Sequence, residues 1–258
     1  MKTGLCITTY NSPNYFEDLL YSIKFPEDLC IVAVNGGEPY PKKYENIHWI
    51  QHDKNYGAAK SRNDGLRYLM ENGCDYLFIS EDDMVIKSPD IFQKYSEMSQ
   101  KTGFEYFCYA SNAWETGPKG ARTPKLQAQF SPELGVNFYQ HCCNEFTFRT
   151  RNVIEKVGYY DEDYAFMFDI DYIYRLHKEG FTRFWHSPDL SNSDDLIDNN
   201  PNAISRMNSN GERGKVIGHN ARLFAEKHGI AIGAIPETSR DDMVQFIKKM
   251  KGKYDSGS

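Results

Sequence analysis

At 258 residues, with a formal net charge of -6 and acidic and basic side chains mixed along the chain, the protein can bury a substantial core. It has no basic block of the kind a large nucleic-acid footprint requires. No apolar run approaches the length of a membrane span, and the start MKTGLCITTY lacks an apolar h-region before a small-residue cleavage site. A soluble chain is expected, with at most peripheral membrane contact through Lys248, Lys249, Lys251 and Lys253. The six cysteines sit in apolar runs, apart from the adjacent pair Cys142-Cys143, with no CxxC spacing and no disulfide framework. Buried, reduced thiols and a cytoplasmic location follow.

In chain order, Leu5–Thr9 reads as a buried strand and Tyr15–Ile23 as a helix with Asn14 at its N-cap. Cys30–Val34 is a second strand, broken by the turn signal Asn35-Gly36-Gly37, and Ile47–Gln51 a third. Ala58–Glu71 has Ala59, Leu66, Leu69 and Met70 on one helical face, with Gly73 as a stop. Tyr76–Ser80 is a fourth strand, and Pro89–Thr102 a helix with Pro89 in its first turn. This alternation predicts an α/β fold: a mostly parallel sheet with helices on both faces. Ligands of such sheets bind at the carboxyl ends of the strands, here Thr8–Asn11, Asn35–Gly37 and Ser80–Asp83.

Beyond Tyr109 the pattern weakens. Trp114–Val136 reads as a long loop, and Trp114 in it is a candidate sugar-stacking platform or a core residue. Phe146–Arg149 reads as a strand, Arg151–Val157 and Ile170–Glu179 as helices. Asp189–Arg213 is rich in Asn, Ser and Asp and reads as a mobile segment. Helices over Val216–His228 and Asp241–Lys251 close the chain. Gln140–Glu145 precedes a strand and would reach an acceptor; the vicinal cysteines in it fit zinc poorly.

Ile79-Ser80-Glu81-Asp82-Asp83 places three carboxylates where an apolar strand ends. Adjacent negative charges repel unless water or a cation relieves them. In an extended chain Glu81 and Asp83 share one side and Asp82 takes the other, so Glu81 and Asp83 would reach one divalent ion. Hard oxygen ligands beside a diphosphate suit Mg²⁺ or Mn²⁺.

This run resembles the DxD-type motif of the GT-A glycosyltransferases, in particular the xDD form of the large family 2. Asn55–Gly65 (NYGAAKSRNDG) is similar to that family's N-x-G-x-[AG]-x-[AS]-R-N-x-G segment, and Ile7–Asn11 to its opening strand end. Val157–Tyr164 and Phe168–Leu176 resemble its G-x-F-D-E-x-[FY] and E-D-x-D-x-x-x-R-[LA] stretches, and Asn220–Gly229 its closing helix. The resemblance covers residues 3–230 apart from the central loop region.

It implies a GT-A fold with a C-terminal acceptor-side portion. The single domain would have a nucleotide-sugar-binding half (1–110), an acceptor and catalytic half (111–235) and a C-terminal helix and tail (236–258). It also implies an inverting, metal-dependent enzyme that moves a sugar from a nucleotide-sugar donor, UDP-linked as first choice, to a hydroxyl acceptor such as a glycan. Thr8, Tyr10, Asn11, Asn35, Asn55, Arg62, Glu81 and Asp82 would line the donor site, with Asn35 where the family usually has an acid. Asp83, Glu81 and, by alignment of the Ser187-Pro188-Asp189 stretch, Asp194 would be metal ligands. Asp169 would be the general base that takes the acceptor's proton, unless it only caps the helix that follows. Phe168 replaces the usual acidic neighbour and adds an apolar wall that would raise the Asp169 pKa.

Two other readings compete. A nucleotidyltransferase shares such a sheet but would carry a Gly-rich basic loop where Asn11-Ser12-Pro13-Asn14 stands. A non-catalytic sugar-nucleotide or glycan-binding module accommodates the departures at Asn35 and Phe168.

Overall fold

The computed structural model describes the chain apart from residues 25–27, 41, 43, 111–113, 117–121, 125–126, 129–134, 140–144, 185, 201–211, 237 and 256–258. The first part runs β1 (Thr3–Thr9), α1 (Pro13–Ile23), β2 (Leu29–Asn35), β3 (Ile47–Gln51), α2 (Ala58–Glu71), β4 (Tyr76–Glu81), β5 (Met84–Ile86), α3 (Ile91–Thr102) and β6 (Tyr106–Cys108). Then follow β7 (Trp114–Thr116), β8 (Arg122–Pro124), β9 (Gln127–Ala128), β10 (Val136–Tyr139), β11 (Phe146–Thr150), α4 (Arg151–Val157) and α5 (Phe168–Lys178). The chain closes with β12 (Ser187–Leu190), β13 (Ile197–Asn199), α6 (Glu212–His228) and α7 (Arg240–Asp255).

The central sheet has the order β3-β2-β1-β4-β11-β6. Its first four strands are parallel, and β11 runs antiparallel to both β4 and β6. This is the mostly parallel α/β sheet that the strand–helix alternation predicts. The parallel strands read as unbroken apolar runs because helices cover both faces. On one face Leu5, Ile7, Ile31, Ala33 and Phe78 pack against Phe16 and Leu20 of α1, Tyr95 of α3 and Phe246 of α7. On the other, Cys6, Val32, Val34, Leu77 and Ile79 meet Leu66 and Leu69 of α2, Val153 of α4 and Tyr172 of α5. α2 lies so close to β1 that a Cβ on Gly65 would collide with the Cys6 sulfur, which is why a glycine sits in mid-helix.

Register aligns the strand ends that matter: Thr8 pairs with Glu81, Thr9 with Asn35, and Asn35 with Gln51. Three small sheets are separate from it. β5 pairs with β13, β10 with β9 and β12, and β7 with β8.

Several helix boundaries differ from expectation. α1 begins at Pro13 behind Ser12 rather than behind Asn14, α3 begins at Ile91 behind Asp90, α5 begins at Phe168, α6 begins at Glu212 rather than Val216, and α7 runs on to Asp255. The stretch read as mobile from Asp189 is ordered through Asn200, as β12, a 3-10 turn and β13; its remainder to residue 211 lies outside the described residues. Among the described residues no helix is long and apolar enough to cross a membrane.

Candidate active site

The acidic run at the end of β4 is a turn rather than an extended chain. Asp82 and Asp83 turn the backbone between β4 and β5, so the alternation expected of a strand stops at Glu81. Glu81 shares the α2 face of the sheet with its register partner Thr8. Asp82 is buried and accepts a hydrogen bond from Thr9 Oγ1 at 2.6 Å. Its carboxylate is thus spent on tying β4 to β1. Asp83 is half-buried, and its carbonyl accepts from the Asn200 N–H at 2.7 Å.

Burial at the strand end pushes the Glu81 carboxyl up to about 7 despite the pull of Arg62, and the charges of Glu145, Asp83 and Asp82 add to the rise. Its side chain still keeps 37% of its surface, so water reaches it and moderates that rise.

Arg62 reaches Glu81 from α2, with Nη2 donating to Oε1 at 2.5 Å. The arginine is 1% exposed, and its Nε and Nη1 have no hydrogen-bond partner among the described residues. Helical side chains lean toward the N-terminus of their helix, which carries this guanidinium to the carboxyl end of the sheet. Its Cζ lies 5.0 Å from the Phe168 ring centre and 5.7 Å from that of Tyr160. Burial opposes its charge, but Tyr160, Glu81 and Asp169 together outweigh burial and hold it protonated more firmly than usual.

Asp169 enters from the other side. Met167 sits in the left-handed region (φ 64) immediately before α5, a costly conformation for a non-glycine residue. Met167, rather than Asp169, occupies the N-cap position; Asp169 lies in the first helical turn. Burial pushes the Asp169 carboxyl above its ordinary range, while the Arg62 charge and the backbone N–H groups of Ile170 and Asp169 offset only part of the rise. Phe168 supplies the expected apolar wall, since it packs partly buried against the second core cluster.

The expected base-binding residues divide. Tyr10 is 45% exposed at the end of β1, beside Gly36, where a Cβ would also touch the Asn55 backbone. Asn35 is 2% exposed, and its amide is fully engaged. Its Nδ2 donates to the Glu38 carbonyl and to Gln51 Oε1, and its Oδ1 accepts from Gly37. These bonds make Asn35 part of the β2 turn. Asn11, at φ 53, accepts from Glu38 N–H and braces the same turn. Asn55 accepts from Gly57 N–H and shapes the approach to α2.

Asp194 also departs from expectation. Its Oδ1 accepts from the Tyr109 hydroxyl at 3.1 Å and its carbonyl from Lys87. Among the described residues no group of three His, Cys, Asp or Glu side chains is placed to hold a metal. Glu81, Asp83 and Asp194 therefore do not form a three-ligand set. His141, Cys142 and Cys143 lie outside the described residues, as does the side chain of Trp114.

Glu145, the last residue of the stretch expected to reach an acceptor, accepts Glu81 N–H through its carbonyl and Asn199 Nδ2 through its carboxylate. Arg149, read from the sequence only as a strand residue, is fully buried behind Tyr160. A charged residue in an otherwise apolar strand was its available signal.

By sequence, no family model and no curated protein matches this chain. By structure, it resembles residues 1–349 of S. aureus TarS at TM-score 0.57 and 15% identity, over 100% of this chain and 74% of that one. The same protein in complex with UDP-GlcNAc matches at TM-score 0.56 and 14% identity, over 98% and 71%. A mannosyltransferase from Pyrobaculum calidifontis, in complex with GDP-Man and Mn²⁺, matches at TM-score 0.57 and 11% identity, over 99% and 74%. At such identities the likeness shows the fold: the mixed α/β architecture with a mostly parallel central sheet is the GT-A type.

Proposed function

We propose that this chain is an inverting glycosyltransferase that moves a sugar from a nucleoside-diphosphate donor to a hydroxyl acceptor. The observation that carries the reading is the convergence of Glu81, Arg62 and Asp169, from three separate elements, at the carboxyl end of the sheet. The solved structures of the same fold that hold UDP-GlcNAc or GDP-Man support a nucleotide-sugar donor; they do not choose between the bases. Residues 1–110 would form the donor half, 111–235 the acceptor half and 236–258 the closing helix and tail. The free thiols of Cys6, Cys30, Cys74 and Cys108 fit a reducing, cytoplasmic compartment.

In this account the acceptor oxygen attacks the anomeric carbon while Asp169 takes its proton, and the bond from that carbon to the diphosphate oxygen breaks with inversion. The raised carboxyl of Asp169 suits a base, because a carboxylate of ordinary acidity is a weak proton acceptor at neutral pH. Arg62 meets charge that develops on the departing diphosphate, using the two N–H groups left without partners among the described residues. Tyr10 offers an exposed ring on which a base would stack.

The chain's residues also fit a divalent cation. Mg²⁺-type sites need only one or two carboxylates, with phosphates and water completing the shell, and Asp83 and Glu81 flank one turn. Burial lifts Glu81 most, and the smaller part of the rise that comes from Glu145, Asp83 and Asp82 is what a cation there would relieve. Mn²⁺ or Mg²⁺ on Asp83, with Glu81, would neutralise the leaving diphosphate.

The test is product analysis with a panel of UDP- and GDP-sugars plus Mn²⁺. Release of free nucleoside diphosphate supports sugar transfer. Release of pyrophosphate would replace it with nucleotidyl transfer, and binding without any turnover would leave a sugar-nucleotide-binding module.

A further inference from the structure

Arg149 is 0% exposed on β11 and makes no ion pair among the described residues. Its Nη2 donates to Thr147 Oγ1 and to the Tyr160 hydroxyl, each at 2.7 Å, while Nε and Nη1 have no hydrogen-bond partner among the described residues. Three tyrosine rings enclose its Cζ: Tyr106 at 5.7 Å, Tyr160 at 5.1 Å and Tyr172 at 4.9 Å. A buried cation without a carboxylate is an expensive way to fill a core, even with cation–π contacts to soften it. An unbranched apolar side chain would fill this space at lower cost. The charge therefore calls for an explanation beyond packing.

Tyr160 supplies one. Its ring contacts two guanidiniums, with the Cζ of Arg149 at 5.1 Å and that of Arg62 at 5.7 Å from the ring centre. It also meets Phe168 edge-on at 5.5 Å and Tyr172 at 4.4 Å. Its backbone is clasped at both N–H and C=O by the side chain of Asn63, the residue after Arg62. The Arg149 hydrogen bond to the Tyr160 hydroxyl thus constrains the ring. The same ring touches Arg62, whose charge acts on Asp169, and Phe168, the residue before Asp169.

We propose that Arg149 is a positioning residue for the sugar-transfer reaction, acting through Tyr160 to fix the Arg62 guanidinium against Glu81 and the start of α5. The role of the site rests on the function proposed above; the mechanical link from Arg149 to Arg62 does not. Arg149 touches neither donor nor acceptor, so it should affect turnover more than donor binding.

The experiment compares Arg149→Met, Arg149→Lys and Tyr160→Phe for thermal stability, kinetics and the Arg62 Nε–H signal in ¹⁵N-arginine NMR spectra. Arg149→Met should hold or raise the melting temperature, as apolar replacement of buried charge often does. Its kcat should fall about 10- to 100-fold, the scale on which misplaced catalytic geometry acts, with donor KM within about twofold. Arg149→Lys, which keeps the charge and one donor, should recover part of the loss. If Arg149→Met fails to fold, Tyr160→Phe keeps the ring and removes only the hydroxyl; its kcat should fall by about 3- to 10-fold, again at constant KM. In each folded variant the Arg62 Nε–H signal should shift and broaden.

An unchanged Arg62 signal, or parental kcat in Arg149→Met or Tyr160→Phe, would overturn the inference. So would a parallel loss of melting temperature, KM and kcat, which is what a purely structural arginine gives. A shifted Arg62 signal in a protein whose parent transfers no sugar would sustain the link and defeat the proposed function alone.

Discussion

Arg62 donates to Glu81 across 2.5 Å while its own charge holds down part of the burial-driven rise at Asp169. One guanidinium thus links the acidic turn after β4 to the first turn of α5, and its charge lowers both carboxyls against the rise that burial imposes.

A pH dependence follows from that coupling. Asp169 must be ionised to accept a proton, and its carboxyl lies above the ordinary range. The kcat profile should therefore rise with pH through a limb above about pH 4, the usual carboxylate value. Removing Arg62 takes away a charge that favours the ionised form, so Arg62→Ala should move the limb to still higher pH. It should also lower kcat about 10²- to 10³-fold, as loss of one donor to a developing anion does. A limb that stays in place or moves down would contradict the coupling.

The acidic turn divides its labour, and mutations should show it. Asp83→Ala should abolish Mn²⁺-dependent donor binding, measured by calorimetry with and without the metal. Asp82→Ala should instead cost stability, about 1–3 kcal/mol, because the Thr9 hydroxyl is left buried without its acceptor. Equal effects of the two changes on metal-dependent binding would refute this division.

Asp189 is the largest polar commitment away from the site. Its carboxylate is 0% exposed and accepts from Tyr95, Ser193, Ala110 N–H and Leu190 N–H. Burial raises it to about 6 in spite of those four donors. The folded state therefore holds this proton more tightly than the unfolded chain. The resulting stability is fully present below about pH 4, the unfolded value, and is lost as pH rises through about 6. Asp189→Asn would turn one acceptor into a donor facing other donors, at a cost of about 1–3 kcal/mol. It should also remove this pH-dependent component from the denaturation midpoints.

Lys24 ends α1 in the left-handed region at φ 54. Glycine adopts that conformation without the steric cost of a Cβ, so Lys24→Gly should stabilise the protein by about 1 kcal/mol. Urea unfolding measures the gain, and a loss would mean that the Lys24 side chain contributes contacts of its own.

How legible the site was depended on what kind of signal each residue carried. Arg62, Glu81 and Asp169 stand in motifs whose order and spacing survive in the sequence, and the fold brings the three together. The β4 turn was misread because three acidic residues look like the end of a strand. The apolar triplet Met84-Val85-Ile86 that resumes the extended chain after them was the missed signal. Asn35 beside two glycines fits a turn and a ligand equally well on sequence, and its hydrogen bonds show the turn role. The Asp189–Asn200 stretch looked loose because it is polar, yet Asp189, Ser193 and Asn200 are buried with partners. Composition reports polarity but not whether polar groups find each other. Arg149 showed only as a charge in an otherwise apolar strand, and no periodicity says which tyrosines enclose it, so the role of Tyr160 was not legible.

The most direct test is single-turnover kinetics of Asp169→Asn with a donor that the parent protein consumes. The account predicts donor affinity within about twofold of the parent and a rate lowered by about 10²- to 10⁴-fold, the reach of general-base catalysis. Transfer at the parental rate would contradict it.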